Sequence, residues 1–492
     1  YYLKYIAGER WFITLNFKHT ANRNNGAFPL VQGIEDAFLK PFMVNQDAVT
    51  QLVDNSINTS LVINHAGSNI NFNSQTAWQS NYRYYDKPID GDFSPIDGIT
   101  IINNYGSKWN NVKVFTQELK FASPASSVSK LKWTTGAYFY LQNNPNKQAV
   151  HFGEDAIFVG SPDINYAIIN TTKGKNAGAA LYGQFTYSIS NVLRLTAGLR
   201  YDYEHKKLSA LGEYKPDESP GPIFETRPDT SATATYSAVS PMLSFAYDLN
   251  DKSNLYVSYN RGFRTGGLTQ LGADPSQPPL YQYKPEYSNN FELGLKNSLL
   301  KNRLRMNFSV FYTNIMDAQI PTLVLPDAVT VTKNAGKLSS KGFEAELNAL
   351  PVKGLELTCN FGYTDARYDD LKLPQEGVSV NHDGNRQIFT PDITSMLAAQ
   401  YSIALSKKPG INMVLRGEWY YLGSQYFDLK NTIRQSPYQL LNVRAGISTK
   451  NIDLMFWARN ITDKLYMAYA YDFGAVHLGN PKTYGVTCRI KF

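Results

Sequence analysis

A two-residue alternation of apolar and polar side chains recurs along most of this chain and limits what it can fold into. In the last ten residues, Tyr484, Val486, Cys488, Ile490 and Phe492 fall on one face, and Thr487, Arg489 and Lys491 on the other. Leu193, Leu195, Ala197, Leu199 and Tyr201 alternate with Arg194, Thr196, Gly198, Arg200 and Asp202. Leu304, Met306, Phe308, Val310 and Tyr312 do the same against Arg305, Asn307, Ser309, Phe311 and Thr313. Period two belongs to a strand with one apolar and one polar face. The phase slips in places: Met455 and Trp457 sit on what should be a polar side.

The alternating stretches come as hairpins separated by long polar loops. Val112–Ala122 is expected to pair with Leu131–Gln142, Ala177–Ser188 with Val192–His205, and Tyr287–Ser298 with Arg303–Asn314. Short turns such as Asn250-Asp251-Lys252 and Ser406-Lys407-Lys408-Pro409 join partners, and segments such as Asn24–Asn55 and Gln142–Asn176 read as loops. Many of these strands exceed the usual five or six residues of a soluble sheet. They match the roughly 9–11 residues that cross a bilayer at a tilt. The expectation is an all-β fold, a transmembrane antiparallel up-and-down barrel of about 19 strands, with short turns facing the periplasm and long loops facing outside.

Composition agrees with this class. Charged residues are 18% of the 492, below the roughly 25% of globular proteins, and tyrosine alone contributes 34 residues. No apolar run is long enough for a transmembrane helix. The net charge of +7 is scattered without a long basic run, so no nucleic-acid partner is expected. Cys359 and Cys488 both lie on apolar faces and give no disulfide framework. The six histidines are far apart, which gives neither a metal site nor a cofactor, and no nucleotide cradle, serine elbow or zincin motif is present, so no catalytic residue is nominated.

Tyr and Trp suit the two membrane interfaces, and most tyrosines should serve there. A minority at strand tops are candidates for ligand contact: Arg83, Tyr84, Tyr85, Arg264, Tyr281, Tyr283, Arg367, Tyr368, Tyr420 and Tyr426. An arginine among aromatics at a mouth holds an anionic ligand by charge and by stacking.

Several longer stretches resemble the barrel domain of TonB-dependent outer-membrane receptors. They are Phe115–Pro124, Leu195–Tyr201, Tyr256–Gly267, Pro285–Lys296, Asn334-Ala335-Gly336 followed by Gly342–Glu346, Gly362–Tyr368, Ala458–Tyr466 and the terminal Phe492. The resemblance covers nearly the whole chain. It implies a monomeric barrel of 22 strands closed by an N-terminal plug, placed in the outer membrane of a Gram-negative bacterium and in contact with its lipid. It implies active uptake of a scarce ligand, most often a ferric siderophore, with haem, cobalamin and glycans as other cargoes. The TonB energy-coupling complex would act through the plug, and the barrel assembly machinery would read the strand ending at Phe492. On this reading residues 1–492 form an N-terminally truncated barrel domain, with the plug and three strands lying upstream.

Three competitors remain. A passive porin would have 16–18 strands and an open channel. A barrel enzyme would need a nucleophile–base pair at a strand top. A secreted adhesive or carbohydrate-binding β protein would need no detergent for extraction.

Overall fold

The computed structural model describes residues 1–26, 30–270, 280–324, 329–334, 336–375, 378–406 and 410–491. The Lys407-Lys408-Pro409 turn and the terminal Phe492 lie outside the described residues. One 21-stranded antiparallel sheet dominates. Two of its members, Ile89–Asp90 and Ile99–Asn103, are short additions at the long-loop end. The other nineteen form the wall, each paired with its neighbours in chain order. Among the described residues, Tyr2–Ala7 pairs only with Trp11–Gly26, and Thr483–Ile490 only with Ile452–Arg459.

The sheet is inside out relative to a soluble protein. Its accessible surface is 28088 Å². A compact soluble chain of 55.3 kDa would expose about 18,000 Å². The excess arises because a single-layer wall has two open faces. Large apolar side chains stand on the outer one, among them Leu181 at 65%, Leu199 at 55% and Phe308 at 44% exposure. Leu131–Leu141, Ala177–Tyr187 and Leu193–Tyr203 each span eleven residues, of which six face outward in a mostly apolar row. At roughly 3.3 Å per residue and a 40° tilt, such rows are about 25 Å tall, the height of a barrel's lipid-facing band. Met455 and Trp457 share a face with Asp453 and line the interior beside Arg416 and Arg459, while Ile452, Leu454 and Phe456 point outward.

The strands differ from the sequence expectation in length. Leu131–Phe152, Tyr166–Ser188, Leu193–Pro216 and Phe224–Asn250 run 22, 23, 24 and 27 residues. Most of the expected Gln142–Asn176 loop is therefore ladder, with a helical turn at Glu154–Val159. Thr50–Ala66 likewise takes up the end of the expected Asn24–Asn55 loop.

The buried apolar clusters lie beyond the band, at the long-loop end. One joins Val31, Ala37, Phe427, Met467, Val476 and Leu478. A second joins Ile99, Val150, Phe152 and Tyr166. A third joins Ile320, Leu338, Tyr368 and Leu371. Side-chain amides tie these loops to the wall. Asn334 receives the Lys284 N–H at 2.6 Å and donates to the carbonyls of Lys284 and Asp317 at 2.9 and 2.8 Å. Asn460, at φ 46°, donates to the carbonyls of Lys464 and Asn480, both at 3.1 Å. Gly336, at φ 76°, cannot carry a side chain, because a Cβ would stand 1.3 Å from the Asp370 carbonyl oxygen.

Candidate ligand-binding mouth

Strand alternation divides the ten candidate residues. On Asn71–Tyr85, Trp78 stands opposite Phe115 on the exposed apolar face. Tyr84 shares that outer face, and Arg83 and Tyr85 take the inner one. On Ser253–Arg264, Leu255 and Val257 point outward, so Arg264 points inward at the strand's outer end. On Ile411–Leu422, Leu415 is outward, and Arg416, Glu418 and Tyr420 are inward.

Arg264 and Tyr283 come together. Tyr283 belongs to the two-stranded element Gly267–Gln270 with Leu280–Tyr283, in which Tyr281 faces Thr269 across the ladder. Burial raises the Tyr283 phenol above its ordinary value, and the nearby Arg264 charge opposes that rise. The backbone beneath is held firmly. Gln319 donates from Nε2 to the carbonyls of Arg264, Thr265 and Lys284 at 3.3, 2.9 and 3.0 Å. The Tyr236 hydroxyl donates to the carbonyls of Gly267 and Tyr283 at 2.9 and 3.0 Å. The Arg264 guanidinium has no carboxylate within ion-pair distance among the described residues, so its charge is available at the mouth.

The remaining candidates have other neighbours. Tyr420 donates to Glu418 at 3.2 Å, and Glu418 also takes Arg416 at 2.5 Å and Arg444 at 3.8 Å. Arg416, Glu418 and Arg444 line an interior cavity of about 450 Å³, and Tyr420 is not among its lining residues. Arg367 shares its face with Tyr363, which stands opposite the outward Phe343. It is committed to Asp365 at 2.8 Å and the Gly384 carbonyl at 3.0 Å. Tyr368 is 4% exposed inside the third apolar cluster. Tyr426 sits in a two-residue pairing with Arg434–Gln435, and its carbonyl accepts the Phe389 N–H. Among the described residues, no group of three or more His, Cys, Asp or Glu could hold a metal ion. No described helix is long and apolar enough to cross a membrane.

The comparison with known proteins decides the family. A model described as TonB dependent receptor-like, beta-barrel, matches residues 10–461. The chain belongs to this family.

Among curated relatives, this receptor barrel is 28% identical over 232 residues to the ferric-pyoverdine M114 receptor PbuA of Pseudomonas sp. strain M114, covering 45% of this chain and 26% of that protein. It is 25% identical over 261 residues to the probable TonB-dependent siderophore receptor PiuA of Acinetobacter baumannii, covering 49% of this chain and 33% of that one. The match thus spans a third or less of these relatives' length. Among solved structures, the ferric yersiniabactin uptake receptor FyuA of Yersinia pestis superposes with a TM-score of 0.78 at 18% identity, covering 99% of this chain and 68% of that one. The PiuA structure from A. baumannii gives 0.76 at 16%, covering 99% and 72%. At these identities the superpositions speak for the fold alone.

The structure also shows an aromatic group in the receptor mouth that sequence reasoning missed. Tyr469 stacks on His477 at 4.9 Å and meets Tyr471 edge-on at 5.7 Å, and Tyr471 stacks on Phe473 at 5.0 Å. Burial raises the Tyr469 phenol, with smaller upward contributions from Tyr471 and the inward Tyr85. The run Tyr466 to Phe473, with four aromatics in eight residues, was the available signal.

Proposed function

We propose that this barrel is the outer-membrane wall of a receptor that takes up a ferric siderophore or a similar iron complex, driven by TonB. The family match over residues 10–461 carries the reading. The siderophore receptors among its relatives support the cargo class. The mouth is chemically suited to that cargo. Arg264 with Tyr283, and separately Arg83 with Tyr85 and the Tyr469–His477 stack near Tyr85, offer positive charge and flat aromatic surface to an anionic chelate.

The test is uptake of ⁵⁵Fe-loaded pyoverdine, catecholate and citrate chelates by cells expressing the intact gene, with TonB functional or inactivated. TonB-dependent accumulation of at least one chelate is expected. Accumulation that persists without TonB would replace this reading with a passive pore.

At the residue level, Arg264→Ala should weaken chelate binding by roughly 10- to 100-fold, the range for losing a charge-assisted contact. Arg367→Ala, whose guanidinium is already engaged by Asp365 and Gly384, should stay within about threefold of the parent. Titration of the purified protein with the transported chelate measures both. Equal losses in the two variants would remove Arg264 from the binding surface.

A further inference from the structure

On three neighbouring strands the outer face changes from apolar to polar at the same ladder level, and on a fourth one row earlier. The change falls between Phe115 and Lys113, Leu141 and Asn143, and Ala177 and Lys175, and on the fourth strand between Tyr203 and His205, the cross-strand partner of Ala177. The ladder fixes who stands beside whom. Lys113 pairs with Asn143, Asn143 with Lys175, and Lys175 with Lys207. One row below, Trp78 pairs with Phe115 and Phe115 with Leu141. The two rows border an outward groove of about 480 Å³.

Lys175 and Lys207 are direct cross-strand partners, so their Cβ atoms are about 5 Å apart, and like charges in that position repel. None of Lys113, Lys175 and Lys207 has a carboxylate within ion-pair distance among the described residues, whereas the neighbouring Lys147 reaches Glu213 at 3.7 Å. All three are exposed. A repelling pair on a single-layer wall is stabilised by an external anion. The apolar shelf directly beneath says that the anion is attached to hydrocarbon.

We propose that this groove binds an acylated lipid whose headgroup carries phosphate, from the leaflet on the long-loop side. The lysine row would hold the phosphate, and Trp78, Phe115 and Leu141 the upper ends of the acyl chains. Lysine ammoniums at this depth act as point charges for phosphate, and their stems lie along apolar surface. The inference rests on the outer face being lipid-facing and does not depend on the cargo.

The probe is bisphosphorylated lipid A, compared with its phosphate-free counterpart. Each is added to the delipidated protein in detergent and followed by native mass spectrometry. Retention of the phosphorylated form is expected to fall about 100-fold in Lys113→Gln/Lys175→Gln/Lys207→Gln, at roughly one lysine's attraction for each change. Lys175→Gln alone should show about a fivefold loss on the same scale and serves if the triple variant folds poorly. Lys296→Gln, on the inner face, should leave retention unchanged. Equal retention of the two lipids, an unaffected triple variant, or displacement by inorganic phosphate at equal concentration would each overturn the proposal. Failure of the lipid-facing reading itself would appear separately, as tolerance of arginine on the outer apolar band.

Discussion

Phe308→Arg is expected to destabilise the barrel in lipid by roughly 2–4 kcal/mol, the cost of an arginine on the lipid face near the midplane. Phe308 is 44% exposed and lies midway along the outer row of Leu304–Met316. Leu199, at 55% exposure, holds the equivalent place between Leu193 and Tyr203 and should behave alike. The physical reason is desolvation. In detergent-free lipid the guanidinium must snorkel or thin the bilayer, and a residue in mid-band has the farthest to reach. The inward neighbour Ser309 faces Gly294 and Glu344 in a wet interior, so Ser309→Arg should change stability by about 0.5 kcal/mol or less. Denaturant titration of the three variants refolded into phosphatidylcholine vesicles measures the difference. If Phe308→Arg matched Ser309→Arg, the outer face would not be the lipid face.

That experiment probes the part of the fold most legible in the sequence. Where one side of a strand meets hydrocarbon and the other water, every second residue must be apolar, and Leu193 to Tyr201 announces itself. The signal vanishes once the strand leaves the band. From Asn143 to Lys147 the sequence reads Asn-Asn-Pro-Asn-Lys, with no contrast between faces, yet it remains within strand Leu131–Phe152. Both faces there are wet, the backbone ladder alone keeps it extended, and a ladder leaves no mark on side-chain polarity. For the same reason Gln142–Asn176 read as a loop.

The mouth was less legible. Adjacent residues on a strand point to opposite faces, so Tyr84 cannot accompany Arg83 and Tyr85, nor Tyr368 accompany Arg367. That much followed from alternation. The proximity of Arg264 and Tyr283 did not, because the pairing of Gly267–Gln270 with Leu280–Tyr283 sets it. Nor did the closeness of Tyr85 to Tyr469, which are almost four hundred positions apart. The pairing of Val31–Gln32 with Ala475-Val476 brings distant parts of the chain together in the loop layer, and no local pattern records it.

The loop layer behind the mouth should be the second site of large effect. Leu371 is fully buried among Ile320, Leu338 and Tyr368, where the ends of three elements meet: Gln319–Val324, Lys337–Ala349 and Leu355–Asp370. Its N–H donates to Asp383 at 2.7 Å, and its carbonyl accepts from His382 at 2.8 Å. The backbone is thus pinned, and a truncated side chain leaves a void that cannot easily collapse. Leu371→Ala should cost about 2–5 kcal/mol. Loops open locally below the global unfolding free energy, so the loss should stay in this layer. Amide hydrogen exchange reads it directly. Protection at Tyr368, Leu371, His382 and Gly384 should fall by roughly 30-fold to several thousand-fold, one decade per 1.4 kcal/mol, while Leu195 to Leu199 in the band keep theirs. Because the same cluster buries the residue beside Arg367 and anchors Ile320 next to Gln319, the amide that holds the Arg264 carbonyl, Leu371→Ala should also weaken chelate binding through Arg264. Loss of protection spread evenly into the band would show instead that wall and loop layer unfold as one unit, and that the mouth has no stability of its own to lose.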